Sequence, residues 1–81
     1  MKAKEVRQAW RFVIAENIKR VRAEKGLSQS ELAEKCKLHQ HLISLVEHGH
    51  REIRDVTLDR IAAGLGVTVN ELMPVPAAKK S

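Results

Sequence analysis

Apolar residues recur along this chain at intervals of three and four, and nowhere do they alternate convincingly with polar ones. That period predicts helices. Ile14, Ile18 and Val21 form a stripe on a first helix expected from about Glu5 to Lys25, with Gly26 as a left-handed stop. Ser28-Gln29-Ser30-Glu31 has the form of a capping box and opens a second helix, Gln29–Cys36, with Leu32, Ala33 and Cys36 inward. After a brief turn at Lys37-Leu38, a third helix is expected from His39 or Gln40 to His48, burying Ile43 and Val46 and closed by Gly49. Residues 50–55 are polar except for Ile53. A fourth helix, about Thr57–Gly64, turns Leu58, Ile61, Ala62 and Leu65 inward. A second capping box, Thr68-Val69-Asn70-Glu71, opens a short fifth helix through Met73, and Pro74 ends it. The expectation is an all-α bundle of five helices.

Eighty-one residues suit one small domain. The only aromatics are Trp10 and Phe12, so the core must be aliphatic. The formal charge of +5 points to a polyanionic partner. It is unevenly placed: residues 1–25 carry eight basic and three acidic side chains, residues 26–78 five and seven, and Lys79 and Lys80 follow. A single cysteine, Cys36, rules out an internal disulfide and fits a reducing cytosol, which makes a cytoplasmic location the expectation. No apolar run approaches membrane-spanning length, and no signal-peptide pattern opens the chain.

The segment Cys36–His50 holds all four histidines, no arginine and one lysine. On helix 3, the face opposite Ile43 and Val46 carries Gln40, His41, Ser44, Leu45 and His48. It is too polar for a core and too uncharged for an ordinary solvated surface. Glutamine can bond adenine bidentately, histidine and serine can bond base edges, and leucine can pack on a thymine methyl. A metal site is the competing use of the histidines, but His39 and His41 point about 200° apart on a helix. His41 and His48 lie two turns apart, too far for one ion, so neither a metal nor another cofactor is expected. No catalytic constellation is present, and an enzyme is not expected.

Two short helices joined by a two- or three-residue turn make a helix-turn-helix unit. Ala33 suits the close crossing of such helices. In "IKRVRAEKGLSQSELAEK", "LISLVEHG" and "IAAGLGVTVNELM", taken in order, the sequence resembles the lambda- and 434-repressor/Cro-like family, also called the XRE family. The resemblance runs from about Ile14 to Met73. It implies a lambda-repressor-like DNA-binding domain over 14–73, with 1–13 extending helix 1 and 74–81 a short tail. It implies that helix 3 enters the major groove, with Gln40, His41 and Leu45 at base-reading positions. Two of those positions are glutamines in 434-like repressors, so the target sequence does not carry over. Gln29 matches a family residue that bonds phosphate, and Arg22 and Glu47 match a pair that forms a partly buried salt bridge. Lys37 stands where the family often has glycine, and a left-handed lysine there costs about 1 kcal/mol.

Phosphate contacts position and base contacts specify. Lys19 and Arg51 are therefore expected at phosphates, with His50 beside them and Ser28 there secondarily to its capping role. A protonated histidine is favoured by DNA, so affinity is expected to rise as pH falls. Double-stranded DNA is the expected partner and a homodimer the expected form, with Val69, Leu72, Met73 and Trp10 as candidate dimer surfaces. Trp10 and Phe12 either extend helix 1 over the bundle or belong to a partner surface. Short chains of this kind resemble phage Cro-type repressors and restriction–modification controller proteins. The alternative readings are an antitoxin that binds a toxin protein and autoregulates its operon, and a protein-interaction adaptor that kept the fold.

Overall fold

A computed structural model describes residues 3–51 and 53–73, with side chains described from Trp10 onward. Expectations that fall on residues 74–81, and on the side chains of residues 1–9, lie outside the described residues. Among the described residues there are four α-helices and one 3-10 turn: α1 (Ala3–Glu24), α2 (Gln29–Cys36), α3 (Gln40–Glu47), α4 (Asp55–Leu65) and Val69–Leu72.

Each helix end has a local cause. At the end of α1 the Gly26 amide donates to Ala23 O and the Leu27 amide to Arg22 O, with Gly26 at φ 72°. That pair of bonds satisfies carbonyls that the last turn would leave open. Ser28 caps α2: its hydroxyl accepts from the Glu31 amide at 3.0 Å, and the Glu31 carboxylate accepts from the Ser28 amide at 2.8 Å. At the other end of α2, Lys37 adopts φ 60° and ψ 44°. It is the one non-glycine residue at positive φ among the described residues.

Several boundaries differ from expectation: α1 runs from Ala3 to Glu24 rather than from about Glu5 to Lys25, and α4 ends at Leu65 rather than Gly64. Helix α4 starts two residues early, at Asp55, whose carboxylate in the first turn complements the open amides there. Helix α3 ends at Glu47, and His48 is its C-cap. The element after Thr68 is a 3-10 turn of four residues rather than a fifth α-helix. Pro74 follows closely and has no N–H for a longer i→i−4 ladder, so the tighter bonding pattern stands. Its Thr68–Glu71 capping box holds the Glu71 carboxyl below its ordinary pKa, chiefly through the Thr68 amide and then the Thr68 hydroxyl.

The core is aliphatic. Ile18, Leu32, Ile43, Ile61 and Leu72 are its largest fully buried side chains, joined by Ile14, Val21, Val46, Leu58 and Leu65. Ala33 and Ala62 bring the helices close, and α2 packs on both α3 and α4. Cys36 fills a gap beside Gly64, where a methyl group would meet its sulfur at 2.5 Å. Burial pushes its thiol pKa up, away from a reactive thiolate. The 3-10 turn is pinned by Asn17 of α1, whose amide donates to Leu72 O at 2.9 Å. Helix α3 packs on α1 and α2, and one of its faces stays outside the bundle.

Candidate nucleic-acid interface

Helix α3 is divided by burial. Ile43, Val46 and Glu47 are buried; Gln40, His41 and His48 are exposed; Ser44 and Leu45 are half-buried on the outer side. The five outer side chains share one solvent-facing strip. Lys37-Leu38-His39 connects α2 to α3, so the two helices form a helix-turn-helix unit with that strip outward.

The inner side of α3 is held by a charged cluster. Arg22 of α1 donates through Nε to Glu47 Oε2 at 2.6 Å and through Nη2 to Glu47 Oε1 at 3.1 Å. Its Nη1 donates to Leu27 O at 2.8 Å. Gln29 of α2 adds a bond from Nε2 to Glu47 Oε1 at 3.0 Å. The Glu47 side chain is 1% exposed, so a carboxylate there requires these partners. The pair is bidentate, which fixes orientation as well as charge. The cluster ties α1, α2 and α3 together at the base of the outer strip.

Gln29 is therefore committed inward, and sequence reasoning gave it only a phosphate role. One N–H of its amide serves Glu47, and it remains half-buried. Ser28 is exposed, with its hydroxyl accepting within the capping box. Lys19 is exposed and lies 3.8 Å from Glu16 Oε1, a solvated contact that leaves the ammonium in water. His50 and Arg51 are exposed just beyond the end of α3.

His48 and His50 form a pair that the sequence does not reveal. Their rings stack with centroids 5.9 Å apart and planes 18° from parallel. His48 Nδ1 lies 2.7 Å from Ser44 O. A carbonyl only accepts, so Nδ1 carries the proton and Nε2 is left to the solvent side as an acceptor in the neutral ring. Phe12 is a second unforeseen neighbour. Gly49, at φ 70°, lies so close to its ring that an added methyl would meet Cδ1 at 2.5 Å. Phe12, near the middle of α1, thus braces the turn that follows α3.

Of the expected partner-surface residues, Leu72 is fully buried and belongs to the core, a correction that follows from the 3-10 turn folding it inward. Val69 and Met73 are half-buried against the core, and Trp10 is exposed. Among the described residues, no three of the His, Cys, Asp and Glu side chains converge on a point where a metal would sit. No described helix is long and apolar enough to cross a membrane.

Residues 18–72 match the helix-turn-helix family HTH_3. A hypothetical transcription factor of Neisseria meningitidis serogroup B is 38% identical over 69 residues, which is 85% of this chain and 65% of that protein. The chain thus spans just under two thirds of that relative's length. Control protein C.MunI of a Mycoplasma species is 41% identical over 56 residues, covering 68% of this chain and 76% of its own. The crystal structure of the restriction-modification controller protein C.AhdI from Aeromonas hydrophila superposes with a TM-score of 0.75 at 29% identity, over 76% of this chain and 94% of that one.

Proposed function

This chain belongs to the HTH_3 helix-turn-helix family, and on that premise we propose that it is a sequence-specific DNA-binding transcriptional regulator. It acts as a homodimer on a pseudo-palindromic operator, with α3 in the major groove. The observation that carries this reading is the outer strip of α3. Gln40, His41, Ser44, Leu45 and His48 stand on a helix whose buried edge is anchored by a closed charged cluster. A row of hydrogen-bonding groups left in solvent, on a rigidly held helix, suits base edges better than it suits a core or a plain surface.

In this reading Gln40 bonds adenine through its amide, His41 and Ser44 bond base edges, and Leu45 packs on a thymine methyl. His48 offers its outer ring nitrogen to a base edge. Lys19, Arg51 and His50 meet phosphates on either side of α3, with Ser28 and the remaining N–H of Gln29 at the start of α2. Two copies related by a two-fold axis read half-sites about 34 Å apart, which doubles the sequence read by one short helix. The names of the relatives, a transcription factor and restriction-modification control proteins, support a regulator of this kind.

Fluorescence anisotropy with labelled duplexes at a series of salt concentrations tests the proposal. Binding should weaken steeply with salt, and Lys19→Ala or Arg51→Ala should weaken all sequences alike while lowering the salt slope by about one. If either substitution changes base preference and leaves the slope intact, the phosphate assignment is wrong. Absence of DNA binding even at low salt would overturn the function itself.

A further inference from the structure

Helix α1 grips the end of α3 at two points, one polar and one apolar. Phe12, Ala15, Lys19 and Arg22 follow one another at steps of three and four, so they share one flank of α1. From that flank Arg22 holds the Glu47 carboxylate through two hydrogen bonds. Phe12 lays its ring on Gly49, so close that a methyl group there would meet Cδ1 at 2.5 Å and Cε1 at 2.7 Å. Glu47 and Gly49 are the residues just before and just after His48, and both are buried. His48 and His50 stand exposed on either side of Gly49, with their rings stacked across the turn. The Phe12 ring is itself 56% exposed, and the Arg11 guanidinium lies over it at 4.9 Å from the centroid. A ring left half in water adds less to a core than a buried one. This ring is placed instead against the turn that carries the two imidazoles. Phe12 also stands outside residues 18–72, the part of the chain that matches the helix-turn-helix family.

We propose that Phe12 is a positioning residue for base reading: it fixes the Gly49 turn and, through that turn, the ring of His48. The proposal rests on the DNA-reading function given above and adds to it a residue that touches no base. A histidine bonds a base edge only when its free nitrogen is aimed within the narrow angular range of a hydrogen bond. Two contacts aim the His48 ring. Its Nδ1 bond to Ser44 O at 2.7 Å restrains it from within α3, and the stack on His50 restrains it from beyond the turn. The second restraint holds only while residue 49 keeps the two imidazoles facing each other. Residue 49 is a glycine at φ 70°, and glycine has the most backbone freedom of any residue. Phe12 removes that freedom by packing on Gly49. Arg11 does the same for Phe12, through a cation–π contact that favours the observed ring orientation. Loosening the turn removes no charge, so attraction to phosphates persists and discrimination between bases is what is lost.

The test takes the duplex selected by the wild-type chain and its single-base-pair variants, with binding read by fluorescence anisotropy and folding by circular dichroism. His48→Ala first identifies the base pair that His48 reads. Phe12→Ala should lower discrimination at that same pair about tenfold, within the range for one lost base contact, and leave the salt slope unchanged. Phe12→Tyr keeps the ring face on Gly49 and should retain wild-type discrimination. Phe12→Ala/His48→Ala should discriminate there no worse than His48→Ala, the mark of one residue acting through another. Phe12→Leu, which keeps apolar bulk without the flat ring, takes the place of Phe12→Ala if that variant does not fold. Unchanged discrimination in Phe12→Ala overturns the proposal, as do a loss spread evenly over all duplexes and losses that add in the double variant. If His48→Ala relaxes no base pair, the proposal falls while base reading by Gln40 stands. A second measurement needs no DNA. Nitrogen-15 NMR of the free chain at about pH 8, above the ordinary imidazole range, should show the His48 proton on Nδ1 in wild type and shared between both nitrogens in Phe12→Ala. The same tautomer in both proteins means that Phe12 does not hold the ring. If wild type binds no duplex, the DNA-reading function falls, and the tautomer alone decides whether Phe12 fixes His48.

Discussion

The two sides of α3 treat polar groups in opposite ways. On the inner side, both oxygens of Glu47 are taken: Oε2 accepts one bond from Arg22, and Oε1 accepts from Arg22 and from Gln29. On the outer side, Gln40 and His41 are exposed to water. A closed polar cluster in a small bundle fixes where a helix lies, because breaking any member strands a buried charge. Exposed groups such as Gln40 and His41 do little for the fold and cost little, so their residue types are free to serve a ligand. Polar residues on one short helix thus divide into those that hold it and those it presents.

The largest effect should come from breaking the inner side. Glu47→Ala leaves Arg22 and Gln29 without their shared acceptor and should destabilise the fold by about 3 kcal/mol, read from urea unfolding. A loss under about 0.5 kcal/mol would mean that the cluster does not anchor α3. On the outer side, Gln40→Ala and Leu45→Ala should each cost about 1–3 kcal/mol in discrimination at one operator position. Gln40→Ala should leave the unfolding midpoint close to wild type, since the side chain is exposed. Leu45 is half-buried, so its truncation should cost some stability as well, which makes Gln40 the cleaner probe. If Gln40→Ala unfolds the protein, the division between the two sides of α3 fails.

The stacked His48–His50 pair, exposed at the end of α3, offers a smaller probe. DNA favours protonated imidazole, so affinity should rise from pH 8 to pH 6, and the gain should shrink in His48→Gln/His50→Gln. A pH profile that is flat in wild type would mean that neither ring meets the phosphates or bases in charged form. The smallest effect is a control away from both sides. Lys37→Gly removes a left-handed lysine and should stabilise the fold by up to about 1 kcal/mol, with base preference unchanged. A shift in base preference would mean that the turn, and not the side chains, sets what α3 reads.

Much of this arrangement is legible in the residues. The 3.6-residue stripes mark four α-helices, Gly26 and Ser28 mark the break between α1 and α2, and Ile43 with Val46 marks which side of α3 turns inward. What is not legible depends on partners distant in sequence. By spacing alone a glutamate in the last turn of α3 looks like a surface charge; only the family resemblance points to Arg22, 25 residues away, as the partner it meets. Gln29 looks equally suited to a phosphate or to that carboxylate, and only the crossing of α2 and α3 decides. Gly49 is recognisable as a helix stop, but the Phe12 ring beside it cannot be inferred from spacing. Leu72 has the same local pattern as a surface apolar residue, and the tight 3-10 turn buries it. The α4 boundary lies at Asp55, whose carboxylate favours the first helical turn electrostatically.

The central claim is that the outer strip of α3 reads DNA sequence while the inner cluster only holds it there. Selection of bound duplexes from a random pool, run in parallel on wild type and Gln40→Ala, tests it most directly. Wild type should enrich two inverted half-sites about 10–11 base pairs apart, centre to centre. Gln40→Ala should enrich the same spacing with one symmetric pair of positions relaxed. No enriched motif for wild type, or an identical motif for both proteins at every position, would contradict the account.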